Sequence, residues 1–425
     1  MVTLFFYSFF IVNAIVALVH PWIGAINTYL VGILSPQTIW WWHFGNTRPY
    51  YWVTLPLIVG STLAFFRNKL NLRYLKTPIN LAVLCLVISF LVSYFFGPYI
   101  NVKNQYRFFE PEPVLFRLLK NFLIFYLTII LIDNQEKAKC LCLVIIVVVI
   151  YYIYWANYQY LSGQQIGRLH GPRGIYHDEN VFAVLFVIGM PFLFYFGSYL
   201  ESKPLRYLIW AVIPFGWHAI FLTGSRGGML GLLASLSIIS LKYSKKWIKI
   251  GIIFAFSAAF IWQGGDLMQS RVQTLEAYQT DHSAEERIEA WKAAIKMVEA
   301  HPFTGVGLAS MGQAYPFFSN YQYVRVAHNT FFQLSAESGM IAGLSFLFLI
   351  GYPIKKLWHP KKEGASQGLK KYNTNKFLFA LREACLSSIV GFAVCAMFLS
   401  LQEYEMFYYL IILANFSIVE TRLRQ

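Results

Sequence analysis

Ionisable residues that could perform chemistry are concentrated in the C-terminal half of the chain, beside long apolar runs. Arg226 lies in a short turn between two such runs, and Arg287 lies in the polar stretch 264–327. Two guanidinium groups on separate segments could clamp a diphosphate through charge-assisted hydrogen bonds. His328 precedes the next apolar run, where the positive end of a helix would keep the imidazole neutral and able to accept a proton. Together the three residues predict diphosphate binding combined with proton removal.

Each of the three residues also has a simpler interpretation. Arg226 could be an arginine that snorkels from a helix end, Arg287 a solvated surface charge, and His328 a polar residue that ends a loop. For Arg226 we favour the functional interpretation, because the positive-inside rule disfavours arginine on an outward-facing loop.

Two further polar residues follow His328 in the same segment. Asn329 is expected to cap the helix that begins there. Glu337 lies roughly 13 Å further along this helix, on roughly the opposite face from His328, as a carboxylate that needs a partner in a membrane. We expect both to lie near a donor or acceptor cleft, although Glu337 could equally be structural.

A second polar cluster lies in the loop 158–177 and its exit. Its members are Arg168, His170, Arg173, His177 and Asp178. Two histidines and an aspartate could bind a metal, but their spacing matches no common ligand pattern. The lining of an acceptor or donor cleft is the favoured role, and neither a metal nor a cofactor is predicted. Arg117 and Lys120, at the start of an apolar run, are weaker candidates that add positive charge near the same surface.

The composition defines the elements that must position these residues. Apolar residues make up 57% of the 425 residues and charged residues only 13%, which excludes an ordinary soluble domain and indicates a helical membrane protein. The formal net charge is +15, but the basic residues stand mostly between apolar runs, so they indicate membrane topology and lipid contact rather than nucleic-acid binding. The five cysteines lie in or against apolar runs without metal or disulfide spacing, which is typical of small core residues.

The predicted fold is an all-α polytopic membrane protein with about twelve or thirteen transmembrane helices. Apolar runs of sufficient length fall near 51–67, 79–97, 113–133, 137–157, 178–200, 204–223, 225–241, 246–263, 329–353, 376–398 and 403–420. One or two more lie within 2–35, where two runs flank His20-Pro21. Val2 to Val19 lacks a basic n-region and a cleavage site, so it is expected to be a retained membrane segment.

Basic residues predict which loops face the cytoplasm. They occur on alternate loops, at Arg67, Lys69, Arg73, Lys76, Lys242, Lys245, Lys246, Lys355, Lys356, Lys376, Arg422 and Arg424. The outward-facing segments are then 98–112, 158–177, 223–226, 264–327 and the turn near Gln402. Residues 1–47 contain no lysine or arginine, so the N-terminal topology stays open. Three regions follow: a transmembrane bundle 1–263, a large outward loop 264–327 and C-terminal transmembrane helices 328–425.

The large outward loop contains a predicted amphipathic helix. Ser283 to Glu286 forms a capping box, and His301-Pro302 ends the helix. Its apolar residues repeat at helical spacing at Ile288, Trp291, Ile295 and Val298. The helix is expected to lie on the outer leaflet with this face down.

The motifs around these residues resemble the O-antigen ligase and polymerase superfamily over roughly residues 160–350. The matching elements are Thr223-Gly-Ser-Arg226-Gly, Ser283…Arg287…Trp291, His301-Pro302…Gly305-Val-Gly307, His328-Asn329-Thr-Phe-Phe…Glu337-Ser-Gly339, and Gly171-Pro…Asp178-Glu-Asn180-Val-Phe-Ala183 with Pro191 downstream. The N-terminal third, notably Ser35-Pro-Gln…Trp40-Trp-Trp42, is similar to the O-glycosylation ligases of exosortase-type systems.

The resemblance implies a membrane glycosyltransferase with about a dozen transmembrane helices and a large external loop. It implies transfer of a glycan from an undecaprenyl diphosphate carrier to an acceptor hydroxyl, at the periplasmic face of a bacterial inner membrane. Arg226 and Arg287 match the diphosphate-binding arginines of the family, and His328 matches its general base. The acceptor could be a lipid such as the lipid A–core of lipopolysaccharide, a protein or a growing glycan.

Two alternatives remain open at this point. A polysaccharide polymerase would use the same groups on a growing chain and would differ from a ligase only in its acceptor. A transporter of the lipid-linked sugar would be expected to carry ionisable residues near mid-membrane, often in repeated halves. The concentration of polar groups toward one face favours the enzyme, and neither the sugar nor the oligomeric state follows from the sequence.

Overall fold

The computed structural model of the protein describes residues 2–44, 47–164, 167–242, 250–251, 282–321, 323–358 and 376–424. Within these ranges the regular structure is helical, and nine helices are long and apolar enough to cross a membrane. The predicted all-α polytopic membrane fold is therefore confirmed.

The N-terminal helices follow the predicted runs closely. In chain order they are α1 (Val2–Val19), α2 (Pro21–Leu34), the short α3 (Pro36–Ile39) and α4 (Trp41–Phe44), then α5 (Pro49–Phe66), α6 (Pro78–Phe96), α7 (Pro111–Leu131), α8 (Gln135–Leu161), α9 (Glu179–Tyr199), α10 (Lys203–Thr223) and α11 (Arg226–Lys242). As predicted, His20-Pro21 separates the first two helices, because proline fits the first turn of a new helix and cannot continue the previous one. The predicted run 246–263 lies almost wholly outside the described residues.

The C-terminal part contains six described helices. They are α12 (His282–Ala300), α13 (Met311–Phe318), α14 (Thr330–Ser338), α15 (Met340–Trp358), α16 (Lys376–Ala396) and α17 (Glu405–Leu423). The helices that qualify as membrane spans among all the described residues are α5 to α10 and α15 to α17.

The span predicted over 329–353 is present as α15 but begins later than predicted, because the residues before it form the separate helix α14 with a break at Gly339. Gly339 has φ +84°, a conformation that favours glycine, and an added Cβ would lie 2.3 Å from the Phe303 carbonyl oxygen. The amide of Met340 donates to the Pro302 carbonyl at 2.8 Å. The loop after α12 therefore passes directly against the break, and α14 with nine residues is too short to cross a bilayer.

The core of the bundle contains α9, α11 and α16. Gly231 and Gly391 lie where α11 meets α16, and a Cβ on Gly391 would lie 2.8 Å from Val187 of α9. Small residues allow such close approach of helices in a membrane. Cys142, Cys385 and Cys395 are buried free thiols, as expected for small core residues, whereas Cys140 is exposed and Cys85 is partly buried. This packing fixes the position of α11, which begins at Arg226.

One end of the bundle, which we call the loop face, carries the polar segments of interest. These are residues 97–110, 162–164 with 167–178, 224–225, 282–321 with 323–338, and 397–404. Backbone hydrogen bonds join them: the Tyr99 amide donates to Val306 and the Leu169 amide to Leu222, both at 2.9 Å. The segments that the basic residues predict to face outward thus share one end of the molecule wherever the structure describes them.

Candidate functional site

The predicted loop helix is present as α12 and ends before His301, as expected. Its predicted apolar stripe is divided between two faces. Ile288 and Ile295 are exposed, at 49% and 45% of their surface, whereas Trp291 is partly buried and Val298 is buried against the protein.

A second face of α12, which the sequence reasoning missed, holds the helix on the protein. Its buried residues are Ala290, Ala293, Ala294 and Met297. They recur at helical spacing, so the signal is present in the sequence, but alanine is easily overlooked beside isoleucine and tryptophan. They cluster with Tyr315 of α13 and Ala336 of α14.

Trp291 links α12 to the residue that precedes His328. Its indole Nε1 donates to the Ala327 carbonyl at 2.8 Å, and its ring stacks on Phe332 with centroids 5.5 Å apart. The Ala327 amide donates to Oε1 of Gln333 at 2.8 Å. Ala327 is therefore held through both of its peptide groups, which positions His328 between α12 and α14.

His328 itself has a left-handed backbone, with φ +46°. This conformation is uncommon outside glycine and often marks a functional turn. The following residue, Asn329, caps α14 as predicted: its Oδ1 accepts from the amides of Phe331 at 3.0 Å and Phe332 at 3.2 Å. Its Nδ2 donates to the Met397 carbonyl at 3.2 Å, which fixes the turn against the bundle.

The electrostatic surroundings of His328 connect three predicted residues. Burial lowers the pKa of His328 below 6.5, the positive charge of Arg287 lowers this pKa further, and the carboxylate of Asp178 opposes the shift. Burial and the positive charge of Arg287 are thus the main reasons for the neutral state expected of this imidazole. Arg287 and Asp178 come from segments more than a hundred residues apart, and the fold brings both to His328.

Arg226 begins α11 directly after a tight turn. Gly224 ends α10 in the left-handed conformation, and Oγ of Ser225 accepts from the Gly228 amide at 3.1 Å. A Cβ on Gly228 would lie 2.6 Å from Ala183 of α9, so this glycine allows two helices to approach. The Arg226 side chain is exposed at the loop face.

The segment 395–401 contacts both the Arg226 turn and the His328 turn. On one side, the thiol of Cys395 lies 3.5 Å from the Gly227 carbonyl oxygen. On the other, the carbonyl of Leu399 accepts from the Thr330 hydroxyl at 2.7 Å. Arg226 begins α11 and His328 precedes the cap of α14, and both turns therefore pack on the same short segment.

Arg168 supports the Arg226 turn. Its Nε donates to the Thr223 carbonyl at 2.9 Å, and its guanidinium pairs with Glu179 and contacts Oδ1 of Asn180 at 3.3 Å. These contacts tie the loop before α9 to the end of α10. The arrangement gives Arg168 a positioning role, while its part in a cleft stays a prediction.

The other residues of the second cluster lie in different surroundings. The rings of His170 and His177 have centroids 4.7 Å apart, and the Arg173 guanidinium lies 5.2 Å from the centre of a Trp41 ring. Asp178 caps α9, since its Oδ1 accepts from the amides of Asn180 and Val181. Among the described residues, no group of three or more histidine, cysteine or acidic side chains is placed to hold a metal ion. Asp178 is thus the member that the fold brings to His328.

Glu337 is almost fully buried, with 6% of its surface exposed. Its carboxyl accepts from Nε2 of Gln333 at 2.5 Å, and its carbonyl accepts from the amide of Gly307 at 3.1 Å. Burial raises the pKa of Glu337 to about 7, although the Gln333 amide favours the ionised form. These contacts hold the 305–311 loop under α12, which is a structural task; a role in the cleft remains a prediction.

Residues 210–347, about a third of the chain, match the family model described as O-antigen ligase. The matched range contains Arg226, Arg287 and His328, whereas the cluster 168–178 lies before it. No curated protein sequence matches the chain. The match confirms the resemblance to the O-antigen ligase superfamily over this range. It supports a membrane glycan ligase or transferase type of role for a multi-pass bacterial membrane protein.

Proposed function

We propose that this protein with an O-antigen ligase region transfers a glycan from an undecaprenyl diphosphate carrier to an acceptor hydroxyl at the loop face. The observation that carries the proposal is the set of charges around His328. Trp291, one turn after Arg287 on α12, donates to the Ala327 carbonyl next to the half-buried His328. The positive charge of Arg287 lowers the pKa of this imidazole, on a face that also carries Arg226.

The proposed reaction is a single displacement. The acceptor oxygen attacks the anomeric carbon of the sugar, and the bond from that carbon to the diphosphate oxygen breaks. The diphosphate leaves with the electron pair, and His328 takes the proton of the attacking hydroxyl. Because one bond replaces another on the opposite face of the sugar, the anomeric configuration is inverted.

Arg226 and Arg287 bind the diphosphate in this proposal. Negative charge increases on the leaving oxygen during the reaction, so guanidinium groups already in place stabilise the transition state more than the ground state. A lipid diphosphate is also a good leaving group, so positioning and charge neutralisation are the main tasks of the protein. The mechanism is metal-independent because the two arginines supply the positive charge.

We place the loop face in the periplasm, with the protein in the bacterial inner membrane. The support comes from basic residues at the other helix ends: Arg67 follows α5, Lys242 ends α11, and Lys355 and Lys356 lie in the last turn of α15. Basic residues are enriched on the cytoplasmic side of membrane proteins.

Transfer by purified protein in lipid nanodiscs tests the proposal. The reaction contains undecaprenyl diphosphate carrying a labelled glycan and a hydroxyl acceptor, and attachment of label to the acceptor is measured. Movement of the labelled lipid across the bilayer of sealed proteoliposomes, without attachment, would instead identify a transporter.

The acceptor distinguishes the ligase from the polymerase. Deletion of the gene should leave polymer on the carrier if the protein is a ligase, because finished chains are then no longer attached. If the glycan is instead reduced to single repeat units, the protein is a polymerase that uses the same residues. The ligase is our first choice because the matched family model carries that description.

A further inference from the structure

A cavity of about 220 Å³ lies at the loop face between the start of α5 and the first turns of α7. The residues of its wall that matter here are Gln37, Arg48, Tyr50, Tyr51, Arg117 and Lys120. It lies in the N-terminal third of the chain, outside the range that matches the family model.

The described residues that line this cavity include three basic side chains and no acidic ones. Arg117 pairs with Glu403 at 2.5 Å, and the Lys120 ammonium lies 4.0 Å from the centre of the Tyr50 ring. Arg48 is exposed, and its guanidinium lies 6.0 Å from the centre of the Tyr51 ring. Glu403 and Glu405 offset part of the charge of Arg117 and Lys120, so Arg48 supplies the exposed positive charge of the wall.

The start of α5 adds to this positive field. Arg48 occupies the N-cap position without a side-chain cap, and the first turn contains no acidic residue. A helix N-terminus normally attracts negative charge, and a cap that supplies an oxygen acceptor is strongly preferred there. Pro49 has no N–H and the Tyr51 amide donates to the Arg48 carbonyl at 3.0 Å, so the helix dipole rather than a row of free amides would attract an anion.

Two other features of the wall suit a polyhydroxylated ligand. The carbonyl oxygen of the Gln37 side chain is buried and has no hydrogen-bond partner among the described residues. Because this oxygen is buried, a hydroxyl group of a ligand would reach it only after a rotation of the Gln37 side chain. Tyr50 and Tyr51 provide aromatic surface beside the basic groups, a combination typical of small-molecule sites.

The cavity is connected to the proposed reaction site through the chain after α16. Glu403 pairs with Arg117, and Oε1 of Glu405 accepts from the Tyr50 hydroxyl at 3.3 Å. Six residues earlier than Glu403, the Met397 carbonyl binds Asn329, next to His328. A ligand in the cavity would therefore lie on the loop face, beside the chain after α16 that also contacts the turn of the proposed base.

We propose that this cavity is a binding subsite for a phosphate or carboxylate group attached to a hydroxylated carrier. The biological use of this subsite rests on the proposed function. The bound group could belong to a charged glycan or to a phospholipid head group. Binding itself requires no transfer reaction.

Equilibrium dialysis of the full chain in neutral detergent tests the subsite with labelled glucose 1-phosphate, glucuronate and uncharged glucose as probes. Glucose 1-phosphate is expected to bind, and glucose to bind at least about tenfold more weakly, since charge-assisted hydrogen bonds are the stronger ones. Arg48→Gln is expected to weaken binding of the phosphate about tenfold, and the double variant Arg48→Gln/Lys120→Gln to remove it. Equal binding of glucose and its phosphate, or unchanged binding by both variants, overturns the proposal.

Lys103→Gln is the matched control, because Lys103 is an exposed cation of the same face that does not line the cavity. It is expected to leave binding unchanged. The source of the anion is tested by native mass spectrometry with phosphatidylglycerol and phosphatidylcholine. Retention of phosphatidylglycerol that depends on Arg48, without binding of glucose 1-phosphate, assigns the subsite to a lipid head group.

The experiment can fail independently of the proposed function. His328→Asn removes the proposed base but leaves the cavity, so this variant is expected to bind glucose 1-phosphate normally. Because Arg48 is exposed, its substitution should not unfold the chain, and an unchanged thermal transition of each variant checks this.

Discussion

The turn that begins α11 and the turn that begins α14 both pack on the segment 395–401, but the side chains proposed to act there, Arg226 and His328, lie in different surroundings. Arg226 is exposed, and the residues around it serve mainly to pack helices closely. His328 is half-buried in a left-handed backbone and is followed by a capped helix. A guanidinium is charged in any surroundings, whereas an imidazole changes its charge with its surroundings. The difference shows why only the second turn needs partial burial and a fixed backbone.

The largest expected effect comes from removal of the proposed base. Asparagine tolerates the left-handed conformation, so His328→Asn preserves the turn but lacks a group that accepts the proton. We expect transfer to fall by about 10²- to 10⁴-fold, the usual contribution of general base catalysis. Initial rates in nanodiscs measure this loss, with His328→Ala as a second variant and thermal unfolding as the control. Near-normal transfer by both variants would refute the assigned base.

Arg226→Gln is expected to have the next largest effect. Loss of a charge-assisted contact to the diphosphate should lower kcat/KM by about ten- to a hundredfold. The pH profile is expected to keep its shape, since the arginine whose charge most lowers the pKa of His328 is Arg287. Arg226→Lys should recover only part of the activity, since an ammonium lacks the paired donors of a guanidinium. A wild-type rate in Arg226→Gln would remove this residue from the site.

Arg287→Gln should instead change the pH profile as well as the rate. The pKa of His328 is lowered, so its neutral form persists below pH 6.5 and wild-type transfer should fall only at more acidic pH. Removal of the positive charge of Arg287 raises this pKa, so the acidic limb of the profile should move to higher pH. The quantity measured is the pH at the midpoint of the acidic limb, rather than the maximal rate, and Arg226→Gln is the control. A limb that moves to lower pH, or moves equally in both variants, contradicts the proposed coupling.

The smallest effect is expected for the cap. Asn329→Ala removes the acceptor for two amides of α14 and should destabilise the protein by about 1 kcal/mol. Asn329→Asp keeps the acceptor but loses the donation to Met397, so it separates capping from the link to the segment 395–401. Thermal unfolding measures the stabilities, and equal stability of Asn329→Ala and wild type would exclude an energetic role for the cap.

Local patterns of the sequence predict the helices well. Apolar runs give α5 to α10 within a few residues, because a helix that crosses a bilayer satisfies its backbone hydrogen bonds within one segment. The cap at Asn329 and the end of α12 before His301 also follow from short-range rules. Hydropathy does not reveal the break at Gly339, where the loop after α12 lies against the chain and leaves no room for a side chain.

The amino-acid sequence by itself determined the membrane-spanning character, the positions of most helices and the identity of the ionisable residues, because these depend on composition and local periodicity. Only the tertiary structure decided that Arg287 and Asp178 act on the pKa of His328 and that Arg168 holds the Arg226 turn. The tertiary structure alone also revealed the basic cavity beside the chain that follows α16. Electrostatic and hydrogen-bonding interactions act over a few ångströms of space, and only the packing of the helices brings residues so distant in the chain within that range.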